Sequence, residues 1–79
     1  MNRDLLLKDL IVKIGSKIKS EREKKGWDVI ELTIRSKVNQ QTIYNLENGL
    51  CNPTLKTLIN ITDALGITLQ SLFQDIPPA

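Results

Sequence analysis

A chain of 79 residues, 41% hydrophobic and 25% charged, has the composition of one small globular domain rather than of a disordered segment. A single cysteine excludes an internal disulfide framework, and with no histidine beside it there is no ligand set for a structural zinc ion. Net charge is +2, too small to announce a nucleic-acid partner, but it is uneven: residues 1–25 hold eight Lys/Arg against four Asp/Glu, and residues 26–79 hold three against five.

The first segment repeats apolar residues at helical spacing, Leu7, Leu10, Ile11, Ile14 and Ile18, with charges between them. Lys24 and Lys25 followed by Gly26 suit a helix C-terminus, where cations complement the dipole and glycine accepts a left-handed turn. Asp28 with Glu31 three residues later makes a capping box, so a second helix is expected from there to about Ser36, burying Leu32 and Val29. Asn39 is a good N-cap for a third helix over residues 40–48, closed by Gly49. Asn52-Pro53-Thr54 leads into a fourth, with Leu55, Leu58, Ile61 and Leu65 as its stripe and Gly66 as its stop. Thr68 caps a short fifth helix carrying Leu69, Leu72 and Phe73, and residues 74–79 form a tail. No alternating strand pattern, repeat or linker interrupts the series. The expected fold is all-α, five helices in one domain spanning residues 1–79.

Helices over residues 28–36 and 40–48, joined by a tight turn, have the spacing of a helix-turn-helix. In that motif the second helix lies in the DNA major groove with its N-terminal residues at base edges. On a helical wheel Gln40, Gln41, Tyr44 and Asn45 share the side opposite Ile43 and Leu46. An amide offers a donor beside an acceptor, which matches adenine N6 and N7. A merely solvated face would use Lys and Glu more than amides.

From about residue 14 to residue 73 the sequence resembles the lambda-repressor-like (Cro/CI-type, XRE-type) helix-turn-helix family. The residues that carry the resemblance are "IGSKIKSEREKKGW", "SKVNQQTIYNLENG" and "NPTLKTLINITDALGIT". Residues 1–13 then extend the first helix beyond the family-like core. By matched position the resemblance implies base contacts from Gln40, Gln41 and Asn45 with Tyr44 beside them, and phosphate contacts from Thr42 and Asn48; Asn39, the N-cap, is a further candidate phosphate contact. It pairs Arg22 with Glu47 in an internal salt bridge between the first and third helices. It also implies a homodimer formed through the fifth helix and its flanks, Leu69, Leu72, Phe73 and Ile76; the cluster Leu5-Leu6-Leu7 is the other apolar candidate.

The chain departs from the family pattern at three places. Val29 stands where many relatives place a phosphate-touching Gln, leaving the backbone N–H groups of the helix start to hold a phosphate. Lys37 replaces the usual turn glycine, so it must accept a left-handed backbone or alter the turn. Leu50, Cys51 and Asn52 replace basic residues after Asn48-Gly49, leaving Lys17, Arg35, Lys37 and Lys56 as the cations available to phosphates.

The function expected is a sequence-specific regulator of transcription that binds double-stranded DNA as a homodimer on a palindromic operator. A small stand-alone repressor or a restriction–modification controller protein suits the length. No cofactor, metal or enzymatic activity is expected, since there is neither a histidine for a triad nor a glycine-rich phosphate loop. No apolar run approaches the roughly 20 residues needed to cross a bilayer. Acids inside "MNRDLLLKDLIVK" argue against a cleaved signal, so the location expected is cytoplasmic. The alternative is an antitoxin-like or adaptor protein whose main partner is another protein, suggested by the sparse phosphate contacts and spare apolar surface.

Overall fold

The computed structural model describes residues 2–74. Four α-helices follow one another: α1 (Arg3–Lys24), α2 (Val29–Ser36), α3 (Gln40–Glu47) and α4 (Leu55–Leu65). The fifth element, Leu69–Phe73, is a 3-10 helix and not the fifth α-helix expected. Its five residues are too few to propagate an α-helical hydrogen-bond ladder, and a tighter i→i+3 turn is the form such short pieces take.

Each helix starts where a side chain meets an orphan N–H of its first turn. Asp28 Oδ1 accepts from the Glu31 N–H at 2.8 Å, Asn39 Oδ1 from Thr42 at 2.7 Å, and Thr54 Oγ1 from Thr57 at 3.1 Å. Only half of the capping box at Asp28 is formed. The Glu31 carboxylate turns the other way and accepts from Arg35 Nε at 3.1 Å.

The end of α3 is equally well defined. Gly49 is left-handed at φ 68°, and the Leu50 N–H reaches back to the Asn45 carbonyl at 2.8 Å, a Schellman closure. Lys37 takes the same conformation at φ 60° without being glycine. Two bonds hold that turn: the Lys37 N–H donates to the Thr33 carbonyl at 2.9 Å, and Val38 N–H donates to Ser36 Oγ at 3.2 Å.

The core is aliphatic. Ile14 and Ile18 of α1, Leu32 of α2, Val38 of the turn, Ile43 and Leu46 of α3, Leu58, Ile61 and Leu65 of α4, and Leu72 of the 3-10 helix form one buried cluster. Fully burying an aliphatic side chain of this size contributes roughly 1.5–3 kcal/mol. Only the C-terminal half of α1 takes part. Leu7, read from the periodicity as core, is exposed together with Leu5, because the start of α1 runs past the body that would cover them.

Leu72 of the expected dimer surface is corrected by its burial: at 3% exposure its side chain completes the intramolecular core. Leu69 is half-buried against the same cluster, Phe73 remains 42% exposed, and Ile76 lies outside the described residues.

Helices α1 and α3 approach each other closely at Gly15. A Cβ built there would stand 2.0 Å from the Leu46 carbonyl oxygen and 3.3 Å from the Glu47 Cα, so α1 and α3 touch backbone to backbone. Only glycine permits that spacing. Alanine propagates a helix better than glycine by about 1 kcal/mol, so an uncrowded site would gain stability from the exchange. Here Gly15→Ala is expected to lose roughly 1–3 kcal/mol by overpacking, a fall of several degrees or more in Tm by thermal unfolding. A rise in Tm would contradict the close approach.

Candidate nucleic-acid interface

The candidate site is the outer side of α3 and the groove beside it. Ile43 and Leu46 are 0% and 1% exposed and pin the inner side. Gln40, Gln41 and Tyr44 are exposed on the outer side, with Thr42 and Asn45 half-buried at its margins. An open groove of about 530 Å³ is lined by Gln40, Gln41 and Tyr44 from α3 and by Val29 from the start of α2. The two helices of the expected motif therefore share one concavity.

What sets the orientation of α3 is an ion pair at its last turn. Arg22 Nε donates to Glu47 Oε2 at 2.8 Å and the second guanidinium arm donates to Oε1 at 2.9 Å, a fork-to-fork contact. The third donor, Nη1, reaches the Trp27 carbonyl at 2.7 Å. Side-chain exposure is 10% for Arg22 and 4% for Glu47, so both charges have left water. The hydrogen bond to Glu47 raises the Arg22 guanidinium further above its ordinary value, against the opposing effect of burial. One side chain thus ties α1, the α1–α2 loop and the end of α3 together.

On the outer side the amides are partly committed to each other. Gln41 Nε2 donates to Asn45 Oδ1 at 3.0 Å, one turn along the helix. Asn48 turns back and donates Nδ2 to the Tyr44 carbonyl at 2.8 Å, capping its own helix. That bond uses one of the two N–H groups Asn48 could have offered a phosphate. Asn39 spends its oxygen on the Thr42 N–H and keeps its amide donors.

The cations divide. Lys37 and Lys56 are exposed and, among the described residues, neither has a carboxylate within 4.0 Å. Lys17 sits 3.6 Å from Glu21. Arg35 is bound locally, by Glu31 and by the Trp27 ring, whose centroid lies 4.4 Å from the guanidinium carbon. At Val29 the start of α2 carries the Asp28 carboxylate as its cap, and that negative charge opposes an incoming phosphate. Leu50 after Gly49 is 66% exposed and adds no charge.

Gly15 and Ser36 belong to the support of this site although the sequence did not single them out for it. Ser36 Oγ is buried, donates to the Leu32 carbonyl at 2.6 Å and accepts from Val38, so it shapes the turn between α2 and α3. A serine at the expected end of a helix was the available signal. Gly15 had none beyond being a glycine inside a helical pattern.

Two short capped helices across a tight turn, the second with a buried inner side and an amide-bearing outer side, define a helix-turn-helix protein. A helix-turn-helix family model matches residues 18–72. The chain belongs to the lambda-repressor-like (XRE-type) helix-turn-helix family, a class of DNA-binding transcription regulators. It is 33% identical over 72 residues to the control protein C.MunI of a Mycoplasma species, covering 89% of this chain and 96% of that one. It is 38% identical over 55 residues to the uncharacterized HTH-type transcriptional regulator y4dJ of Sinorhizobium fredii, covering 70% and 71%. The fold is similar to the restriction-modification controller protein C.AhdI of Aeromonas hydrophila, with TM-score 0.77 and 27% identity over 80% of this chain and 96% of that one. It is also similar to the clp gene regulator ClgR of C. glutamicum, with TM-score 0.76 and 26% identity over 82% and 84%. Among the described residues no helix is long and apolar enough to cross a membrane.

Removing one member of a buried pair strands the other charge, which costs about 3–5 kcal/mol. Arg22→Ala and Glu47→Ala are each expected to lose stability on that scale in urea unfolding. The double variant should lose less than the sum of the two by about 1 kcal/mol or more. Additive losses would mean that the two side chains do not act as a pair.

Proposed function

We propose that this protein is a sequence-specific regulator of transcription that binds double-stranded DNA with α3 in the major groove. The observation that carries the reading is the outer side of α3: Gln40, Gln41, Tyr44 and Asn45 stand together while Ile43, Leu46 and Glu47 hold the helix from behind. Amide edges in a major groove discriminate among bases, and each good bidentate pair is worth roughly 1–3 kcal/mol against the wrong base. Lys37, Lys56 and the amide of Asn39 supply phosphate contacts around that helix, with Thr42 beside them. Similarity to C.MunI and C.AhdI over nearly their whole lengths supports the restriction–modification controller type in particular. A regulator of this kind works in the bacterial cytoplasm, where the DNA is.

The functional unit in this reading is a homodimer on a two-fold operator. A single protomer brings few free cations, and a symmetric pair doubles the phosphate contacts while matching half-sites about one helical turn apart. The exposed apolar side chains Phe73, Leu5 and Leu7 are available to that contact, whereas Leu72 is not.

Selection of bound duplexes from a random pool tests the reading. Wild type should enrich a defined two-fold sequence. Gln40→Ala and Gln41→Ala should each relax the preference at a base pair by on the order of tenfold while leaving the weak binding to random DNA in place. Enrichment of no sequence, or an unchanged preference in both variants, would overturn base readout by α3.

A further inference from the structure

The first turns of α1 form an arm whose apolar side the rest of the described chain leaves open. Leu7 is 46% exposed, and with the half-buried Leu6 and Leu10 it lines a groove of about 400 Å³, edged by Arg3 and Asp4. The arm is a capped helix start, since Asn2 Oδ1 accepts from the Asp4 N–H at 2.9 Å. It lies outside the family match, which begins at residue 18. Its charges are unspent. Among the described residues Arg3, Asp4 and Lys8 have no opposite charge within 4.0 Å. Asp4 and Lys8 stand four residues apart, the spacing of a pair along one helix, yet they form none.

We infer that this arm is the surface through which two copies of the chain pair, antiparallel about a two-fold axis. The inference rests on the proposed homodimer and names the surface that forms it. A two-fold contact sets a patch against itself, so the patch has to be self-complementary. In an antiparallel pair centred on Leu6 and Leu7, the leucines of one arm meet those of the other. The same register brings Asp4 of each copy beside Lys8 of the other, and Arg3 beside Asp9. Opposite charges then flank the apolar seam at both ends. A parallel pairing would set like charges level with one another. This match of the arm to its own reverse is what points to a second copy as the occupant.

The place of the arm suits the DNA as well. Val12 Cγ2 lies 3.0 Å from where a Cβ on Gly49 would stand, so the arm projects beyond the end of α3. Leu7 lies about 12 Å along the helix from Gly15, where α1 meets α3. Arms paired at Leu7 hold the two α1–α3 contacts roughly 25 Å apart, the scale of half-sites about 34 Å from each other.

Sedimentation equilibrium of the full chain tests the pairing without DNA. Wild type should be a dimer. Leu7→Asp should be a monomer that stays helical by circular dichroism, because Leu7 is outside the buried core. Charge reversal then tests the register. Asp4→Lys and Lys8→Asp each bring like charges together in their own dimers and should weaken them by on the order of tenfold. Mixed in equal amounts, the two variants should recover the wild-type affinity, since each end of the mixed pair again joins opposite charges. An effect confined to one helix would not be rescued by mixing.

A dimer that persists in Leu7→Asp, or a mixture no tighter than its components, would overturn pairing through the arm and leave the homodimer standing. A wild type that stays monomeric in solution and on the selected two-fold duplex would overturn the homodimer, and the arm with it.

Discussion

The forked contact between Arg22 and Glu47 is the constraint on which the rest of this small structure depends. An isolated helix of eight residues is not stable in water, so α3 exists only because it is held. Ile43 and Leu46 hold it by burial, and burial alone leaves a helix free to roll and slide. The guanidinium fork is directional: two parallel bonds to Glu47 and a third to the Trp27 carbonyl fix both the roll of α3 and its position along α1. Gly15 makes the contact possible by letting the Leu46 carbonyl come against α1. The pair contributes aim rather than net stability, because the cost of taking both charges out of water offsets much of their attraction. Removal of either partner is costly for the same reason.

The electrostatics of the outer side follow from that arrangement. Glu47 is the only charged residue on α3 and it is turned inward, so the amide face carries no formal charge. Around it, Arg35 is stacked on Trp27 and Lys17 faces Glu21, while Asp28 places a carboxylate at the start of α2. What remains to meet phosphates is sparse on one protomer. A surface of this kind binds weakly through charge and relies on hydrogen-bond complementarity for discrimination, which makes a second protomer physically useful.

Much of the fold was legible because its signals are local. Asp28, Asn39, Thr54 and Thr68 each act on an N–H three residues away, and Gly49 and Gly66 close helices through bonds within one turn. The left-handed backbone at Lys37 was expected only from the family resemblance, as one of two outcomes at the position of the usual turn glycine. What was not legible depends on partners distant in sequence. The crowding at Gly15 comes from a carbonyl thirty-one positions on, and no pattern in α1 encodes it. Leu7 and Leu72 carry the same apolar signal, yet one overhangs the body and the other is buried, because the end of the core is a tertiary fact. At the candidate site the residue types were legible but their commitments were not. That Asn48 folds back on Tyr44, that Arg35 lies on Trp27, and that Gln41 engages Asn45 each depends on rotamers that the order of residues leaves open.

The central claim is that the ion pair aims the reading face and does not merely hold the fold together. It is tested most directly by replacing both charges at once with apolar residues of similar volume, Arg22→Met with Glu47→Leu. Such an exchange of a buried pair is often neutral or stabilising. Comparison of binding to the selected duplex and to random duplex, at one salt concentration, then isolates aim from stability. The account predicts a folded protein of comparable melting temperature whose preference for the selected duplex falls by on the order of tenfold or more, the loss of roughly one good bidentate base contact. A folded double variant that discriminates as well as the wild type would contradict it.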